Sequence, residues 1–277
     1  MSNISKEDVL DLREKTGAGL IDCKRALVES NGDLEEAISI LRKKGVASAA
    51  KKAGRDAGEG IIAQSINEDR SRGILVEVNC ETDFVAKNED FIRFSSDVAN
   101  ELLLDPSADL ESKRAEQVGK IGENIRISRS KLLAPEGNAL VESYVHTGSK
   151  VAVLISITSD STDDIKDKSV VDMAKDLCMH IAATSPVCVS RDDVPSDLVN
   201  KEKDIALAQA EGKPAQAIEK IVQGKLEKYF STACLLEQPF VKDPDQSIGK
   251  LVESVSKESG ISLKVQQFVR FQVGEDS

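Results

Sequence analysis

Gly73-Ile74-Leu75-Val76-Glu77-Val78-Asn79-Cys80 is a short, β-branched apolar run with polar neighbours, and it reads as a β-strand. Residues 61–67 have the same character, and the polar stretch Asn67-Glu68-Asp69-Arg70-Ser71-Arg72 lies between the two runs. Together they predict a β-hairpin. Downstream, a helix is expected from about Asn88, with Phe91, Phe94, Val98 and Leu102 on one face. More helix is expected near 108–119, then an extended piece over 123–132.

The order then recurs. Glu136-Gly137 matches Glu59-Gly60, and Val151-Ala152-Val153-Leu154-Ile155 follows Ile74-Leu75-Val76-Glu77-Val78 at the same offset of 77 positions. A helix at about 164–183 follows the second strand. Near the end, Ile261, Leu263, Val265, Val269, Phe271 and Val273 alternate with polar residues, as in a half-buried antiparallel strand. The pattern predicts an internal duplication: two strand-strand-helix-strand subdomains, α+β in class. Between the pieces of the second subdomain, residues 195–211 and 214–230 read as helices separated by Gly212-Lys213-Pro214. Leu198, Ile205 and Ala208 would face Ile218, Ile221, Leu226 and Tyr229 in an antiparallel helical hairpin. Such a hairpin is either a plain structural element or a partner-binding arm.

Ahead of the strands, residues 1–45 read as three short helices. Ser5 with Asp8 forms a capping-box-like start, and Thr16-Gly17-Ala18-Gly19 breaks the first helix. The second spans about 20–29 and stops at Asn31-Gly32. Asp33 caps the third, whose stripe Leu34, Ala37, Ile38 and Leu41 is expected to end at Gly45. So small a unit suits a docking module. Residues 42–55 carry six basic residues and no acid, fitting either a solvated tether or a contact with RNA or an acidic partner. The expected organisation is a three-helix, UBA-like docking module over 1–45 and a basic linker over 46–58. A core N-subdomain follows over 59–135, then a C-subdomain over 136–190 plus 231–277, with the hairpin inserted at 191–230.

Composition narrows the function. The 277 residues carry 37 basic and 48 acidic side chains, a formal net charge of −11, which argues against nucleic acid as the main ligand. Seven Phe, two Tyr and no Trp make each exposed aromatic a residue of interest. The five cysteines are scattered, without a C-x-x-C pair, and read as thiols in a reducing compartment. No apolar h-region opens the chain. The longest uncharged stretch, 177–190, contains Pro186 and is well short of the roughly 20 residues of a membrane span. A soluble cytoplasmic protein is expected, and no cofactor or metal.

Enzyme signatures are missing from the sequence. There is no G-x-x-x-x-G-K-[ST] phosphate loop and no G-x-G-x-x-G after a strand. The two histidines, His146 and His180, stand 34 positions apart, poorly placed for a triad or metal site. His180, on an apolar helix face with Ala174, Cys178 and Ile181, reads as a satisfied structural histidine. His146 reads equally as a polar strand tip or a contact residue. One segment stands out: Cys80-Glu81-Thr82-Asp83-Phe84-Val85-Ala86-Lys87-Asn88, where a strand ends and a helix soon begins. Asp83 and Phe84 could form a carboxylate and aromatic wedge aimed at another protein. Alternatively, Phe84 packs beneath the loop while Asp83 caps a helical turn.

Two blocks carry a family resemblance. Leu12-Arg13-Glu14-Lys15-Thr16-Gly17-Ala18-Gly19-Leu20-Ile21-Asp22-Cys23-Lys24-Arg25-Ala26-Leu27 resembles the N-terminal signature of elongation factor Ts, the bacterial exchange factor for elongation factor Tu. Glu77 through Lys87 is similar to its second signature. Ile121-Gly122-Glu123-Asn124-Ile125, Met179-His180-Ile181-Ala182-Ala183, Gln238-Pro239-Phe240-Val241 and Phe268-Val269-Arg270-Phe271 continue the match in order.

The resemblance implies a translation factor that binds the Tu GTPase in its GDP form and releases GDP and magnesium. It would bind no nucleotide itself and would not be an enzyme. Thr82, Asp83, Phe84 and Val85 would form the intruding turn. Arg13, Leu20 and Ile21 would sit on the GTPase domain, Ile121 and Gly122 would add core contacts, and His146 would touch Tu from the second subdomain. An assembly of two factors with two GTPases is one stoichiometry left open. Leu20 and Ile21 stand where the family often has methionines, and both remain apolar. The C-terminal helical module of longer members is expected to be missing, and the hairpin, absent from short members, is present.

Overall fold

The computed structural model describes residues 4–160 and 165–275. Helix and strand are mixed, 52% and 22%, and the strands sit in small antiparallel sheets, so the class is α+β. The N-terminal unit contains α1 (Lys6–Thr16), α2 (Leu20–Glu29) and α3 (Leu34–Lys52). Ser5 and Asp8 exchange both bonds of a capping box, Asp33 accepts from the Glu36 amide, and Gly17 closes α1 at φ +67°. Leu12, Cys23, Ala26, Leu27 and Ala37 form its small core.

The third helix does not stop at Gly45. It continues to Lys52 because Gly45 is where α3 crosses the later helix α6. A Cβ on Gly45 would lie 3.2 Å from the Ala115 carbonyl oxygen, and one on Gly119 would lie 3.1 Å from the Gly45 Cα. Here glycine permits close helix approach and does not act as a terminator. Most of the basic stretch 42–55 is therefore helical, and residues 53–58 connect it to the first strand.

The core holds two sheets. β1 (Glu59–Ile66), β2 (Gly73–Cys80) and β3 (Arg126–Leu133) form the first, in the order β1-β2-β3. The short α4 (Asp83–Ala86), then α5 (Glu89–Leu104) and α6 (Glu111–Ile121), lie between β2 and β3 in sequence. Phe91, Phe94, Val98 and Leu102 of α5 are buried against Ile74, Val76 and Val78, as their spacing predicts. β4 (Asn138–Val145), β5 (Val151–Ser159) and β8 (Leu263–Gln272) form the second sheet, in the order β4-β5-β8. It is covered by α7 (Lys168–Thr184) and α10 (Ile248–Ser259). β6 (Pro239–Phe240) and β7 (Asp243–Ser247) make a minor ribbon. The expected start of α7 near 164, and the chain ends at 1 and 277, lie outside the described residues.

The free faces of the two sheets meet. Ile62, Leu75 and Leu133 of the first pack with Val141, Leu154 and Phe271 of the second. A Cβ on Gly73 would lie 2.8 Å from a Val141 methyl and 2.9 Å from a Leu154 methyl, so the sheets approach closely there. β2 is thus buried on both faces, which is why its sequence is a nearly unbroken apolar run.

The duplication is present at a different offset. Glu59 pairs with Cys80, and Asn138 with Ser159; 138 and 159 each lie 79 past 59 and 80. The bulges match too, between Glu77 and Val78 in one sheet and between Ser156 and Ile157 in the other. The sequence match at 77 aligns strand content, whereas register is set by pairing. The bulge also breaks the C-terminal alternation. Val265 faces the helices, while Val269 and Phe271 face the other sheet, because one extra residue reverses the phase.

The inserted hairpin consists of α8 (Ser196–Gln209) and α9 (Ala215–Ala233), with Gly212 at φ +82° between them. Ile218, Ile221, Leu226 and Tyr229 are partly buried, as expected for α9. On α8 the expected face is right only in part: Leu198 is half-buried and packs in one cluster with Tyr229, but Ile205 and Ala208 are exposed, and Ala206 and, just past the helix, Ala210 are buried instead.

Candidate functional site

The segment after β2 is where the chain's most exposed aromatic side chain stands. Phe84 is 82% exposed, so it does not pack beneath its loop. Thr82, and not Asp83, is the N-cap of α4: its hydroxyl accepts from the Val85 amide at 3.4 Å. Asp83 begins the helical turn and forms an ion pair with Lys87 at 2.7 Å. That hydrogen bond holds the Asp83 carboxyl below its ordinary range and the Lys87 ammonium above its own, so both are charged at neutral pH. Val85 turns inward and packs against the first-sheet core, as does Ile121. One short turn therefore points an aromatic ring at solvent and an aliphatic side chain at the core.

What braces this turn lies 40 residues further on. The Glu123 carboxylate accepts from the Glu81 amide (3.0 Å), the Thr82 amide (3.0 Å) and the Thr82 hydroxyl (2.7 Å). In return, the Glu81 carboxylate accepts from the Asn124 amide at 2.6 Å. The buried Asn124 side chain donates to the Arg55 carbonyl at 2.9 Å, which also takes a bond from Arg126. Each acidic residue thus satisfies the other loop's backbone N–H groups, and the connection from α3 is tied in as well. Sequence reasoning does not single out Glu123 for this bracing role. It lies in the block 121–125 that carries the resemblance, but as one acid among 48 it has no local sign of a long-range brace beyond the preceding Gly122, which ends α6 at φ +88°.

The remaining expected residues fall into two groups around the turn. Ile121 and Gly122 sit immediately before the brace. The N-terminal module reaches the same helix: Gly17 lies against the Lys120 side chain, whose Cε would be 3.1 Å from a Cβ at that position. Leu20 and Ile21, 44% and 68% exposed, open α2 just beyond that break, and Arg13 is exposed in the last turn of α1. On the other side, the β4–β5 turn carries His146, exposed, with its Nδ1 3.0 Å from the Tyr144 hydroxyl. The same turn is joined to β1 by Lys150 on Glu59 (2.5 Å) and by the Ile62 amide on the Ser149 carbonyl (2.7 Å). Glu59 pairs with Cys80, so His146 lies at the end of the sheets from which the Phe84 turn projects. The other histidine, His180, is buried: its Nδ1 accepts from the Val241 amide, and its Nε2 is bonded to Gln238.

Among the described residues, no group of three or more His, Cys, Asp or Glu is arranged to hold a metal ion, and no helix is long and apolar enough to cross a membrane. The exposed apolar side chains here are Phe84, on a braced turn, and Leu20 and Ile21 at the start of α2.

Comparison with known proteins places the chain, by class, among the translation elongation factors. The family model described as "Elongation factor TS" matches residues 81–275, beginning at the first residue after β2. The chain is 43% identical to an elongation factor Ts of Clostridium botulinum (strain Eklund 17B / Type B), covering 98% of this chain and 93% of that protein. It is 41% identical to one from Prosthecochloris aestuarii, covering 99% and 100%, and 44% identical to one from Alkalilimnicola ehrlichii, covering 98% and 92%. The chain belongs to the elongation factor Ts family.

Proposed function

We propose that this chain binds the GTPase elongation factor Tu in its GDP form and promotes release of GDP and magnesium, so that GTP can bind, and that it does no covalent chemistry itself. The observation that carries this reading is the exposed Phe84 beside the ionised Asp83, on a turn whose backbone is fixed by Glu123. A wedge must be stiffer than what it displaces. Two backbone amides and a hydroxyl held by one carboxylate supply that stiffness. Asp83 and Phe84 disturb the magnesium and phosphate end of the Tu site, and Thr82 and Val85 set the direction in which they project. Arg13, Leu20 and Ile21 dock the GTPase domain; Ile121 and Gly122 extend the central contact, and His146 touches Tu from the second sheet.

The mechanism is thermodynamic linkage. A ligand shifts an equilibrium only by its differential affinity for the two states. If this chain weakens GDP binding about a thousandfold, GDP weakens chain binding by the same factor, about 4 kcal/mol in each direction. Docking through the N-terminal module contributes affinity, and the wedge contributes the difference between loaded and empty Tu. The test is release of a fluorescent GDP analogue from Tu with substoichiometric chain and excess unlabelled GDP. Accelerated, catalytic release supports the reading; a rate equal to spontaneous release overturns it.

A further inference from the structure

Cys188 and Cys234 face each other at the root of the helical hairpin. Their sulfurs are 3.8 Å apart, and the two residues form an isolated parallel bridge where the chain enters and leaves α8 and α9. The Val187 and Cys188 amides donate to the Ala233 carbonyl, and the Leu235 amide donates to the Cys188 carbonyl, so the two backbones are fixed side by side. Bridged strands lie roughly 4.8 Å apart, inside the range of about 4.4–6.8 Å between Cα atoms that a disulfide accepts. Both thiols are reduced here. The other three cysteines lack such a neighbour: Cys23, Cys80 and Cys178 bond the carbonyls of Ala18, Thr82 and Glu142.

We propose that Cys188 and Cys234 are a redox modification site, a dithiol that closes to an intramolecular disulfide across the hairpin root when the chain meets a low-molecular-weight disulfide. The Cys188 thiolate attacks one sulfur of that oxidant, forming a mixed disulfide and releasing one small thiol. The Cys234 thiolate then attacks the Cys188 sulfur and expels the second small thiol. The protein loses two protons and two electrons, and the oxidant is reduced to two thiols. Cys188 acts first because it is 8% exposed, whereas Cys234 is fully buried. Burial raises both thiols, Cys234 to about 12, so closure is slow and follows opening of the root. Closure requires rotation about the two Cα–Cβ bonds to bring the sulfurs from 3.8 Å to bonding distance. The bridge encloses the whole α8–α9 insertion and fixes the angle at which the hairpin leaves the body. Tyr229 and Phe230 pack at this root, and the Arg191 guanidinium lies 4.7 Å from the Phe230 ring centre.

The test uses the full chain, reduced, freed of reductant and incubated with oxidised glutathione. The remaining thiols are alkylated in denaturant and the digest is mapped by mass spectrometry without reduction. The expected result is a fall from five alkylated cysteines to three, and one linked pair of peptides containing Cys188 and Cys234. Cys188→Ser should abolish that pair and keep Cys23, Cys80 and Cys178 alkylated. Five alkylated cysteines after prolonged exposure would overturn the proposal. So would stable glutathione adducts without a cross-link, or a different pair of linked cysteines. Because the wild-type chain is the primary sample, the test stands even if the variant misfolds.

Discussion

Replacing Glu123 by alanine removes three acceptor contacts at once, from the Glu81 amide, the Thr82 amide and the Thr82 hydroxyl. Each is a hydrogen bond to a carboxylate, worth about 1.5–3 kcal/mol when well formed. Glu123 is only partly buried, so water replaces part of what is lost. The net local cost should then be about 2–3 kcal/mol, roughly 30- to 150-fold in the opening equilibrium of the turn. Glu123→Gln keeps one carbonyl oxygen as acceptor and should cost about half as much. The assay is native-state hydrogen exchange, resolved at the amides of Glu81 and Thr82. Protection should fall in the order wild type, Gln, Ala, while amides of α7 keep theirs. GDP release from Tu should slow in the same order. Unchanged protection at residues 81 and 82 in Glu123→Ala would refute the brace, whatever happened to activity.

Phe84→Ala should slow GDP release at least tenfold yet shift the urea midpoint by no more than about 0.5 kcal/mol equivalent, because an 82% exposed ring contributes little to folding. A large stability loss would show that the ring is structural. Gly60→Ala should destabilise the first sheet by more than about 2 kcal/mol, since a Cβ would lie 2.2 Å from the Val78 carbonyl oxygen at a φ of +148°; a neutral urea melt would contradict this. Burial depresses the His180 pKa below 6.5, although its bond to Gln238 opposes this in part. The unfolded chain therefore takes up a proton near 6.5 that the folded chain refuses until lower pH, and stability falls as pH drops through that window. His180→Gln should flatten the urea midpoint between about pH 7 and 5. An unaltered profile would rule out the histidine as the source.

Much of the fold could be read from local pattern. The hairpin of β1 and β2, the amphipathic α5, and the caps at Ser5 and Asp33 depend on residues within a few positions of one another. Local pattern misleads where a distant partner decides. Gly45 looks like a terminator until α6 is placed against it, and the burial of Ala206 in place of Ile205 is set by packing outside the helix's own sequence. The bulge at Ser156 and Ile157 leaves the alternation of β8 intact on paper while reversing which residues meet the helices. At the site, the motif around Asp83 and Phe84 was visible but its orientation was not. The turn that presents the ring is tied down by the Glu123 contact, made across 41 positions. Long-range polar contacts of this kind have no periodic trace in a sequence.

The proposed mechanism requires the chain to prefer Tu empty over Tu loaded. Isothermal titration of the full chain into nucleotide-free Tu, and into Tu saturated with GDP and magnesium, measures that preference directly. The expected affinities differ by about a thousandfold in favour of the empty GTPase, the same factor by which the chain is taken to weaken GDP binding. Equal affinities for the two forms would overturn the exchange mechanism.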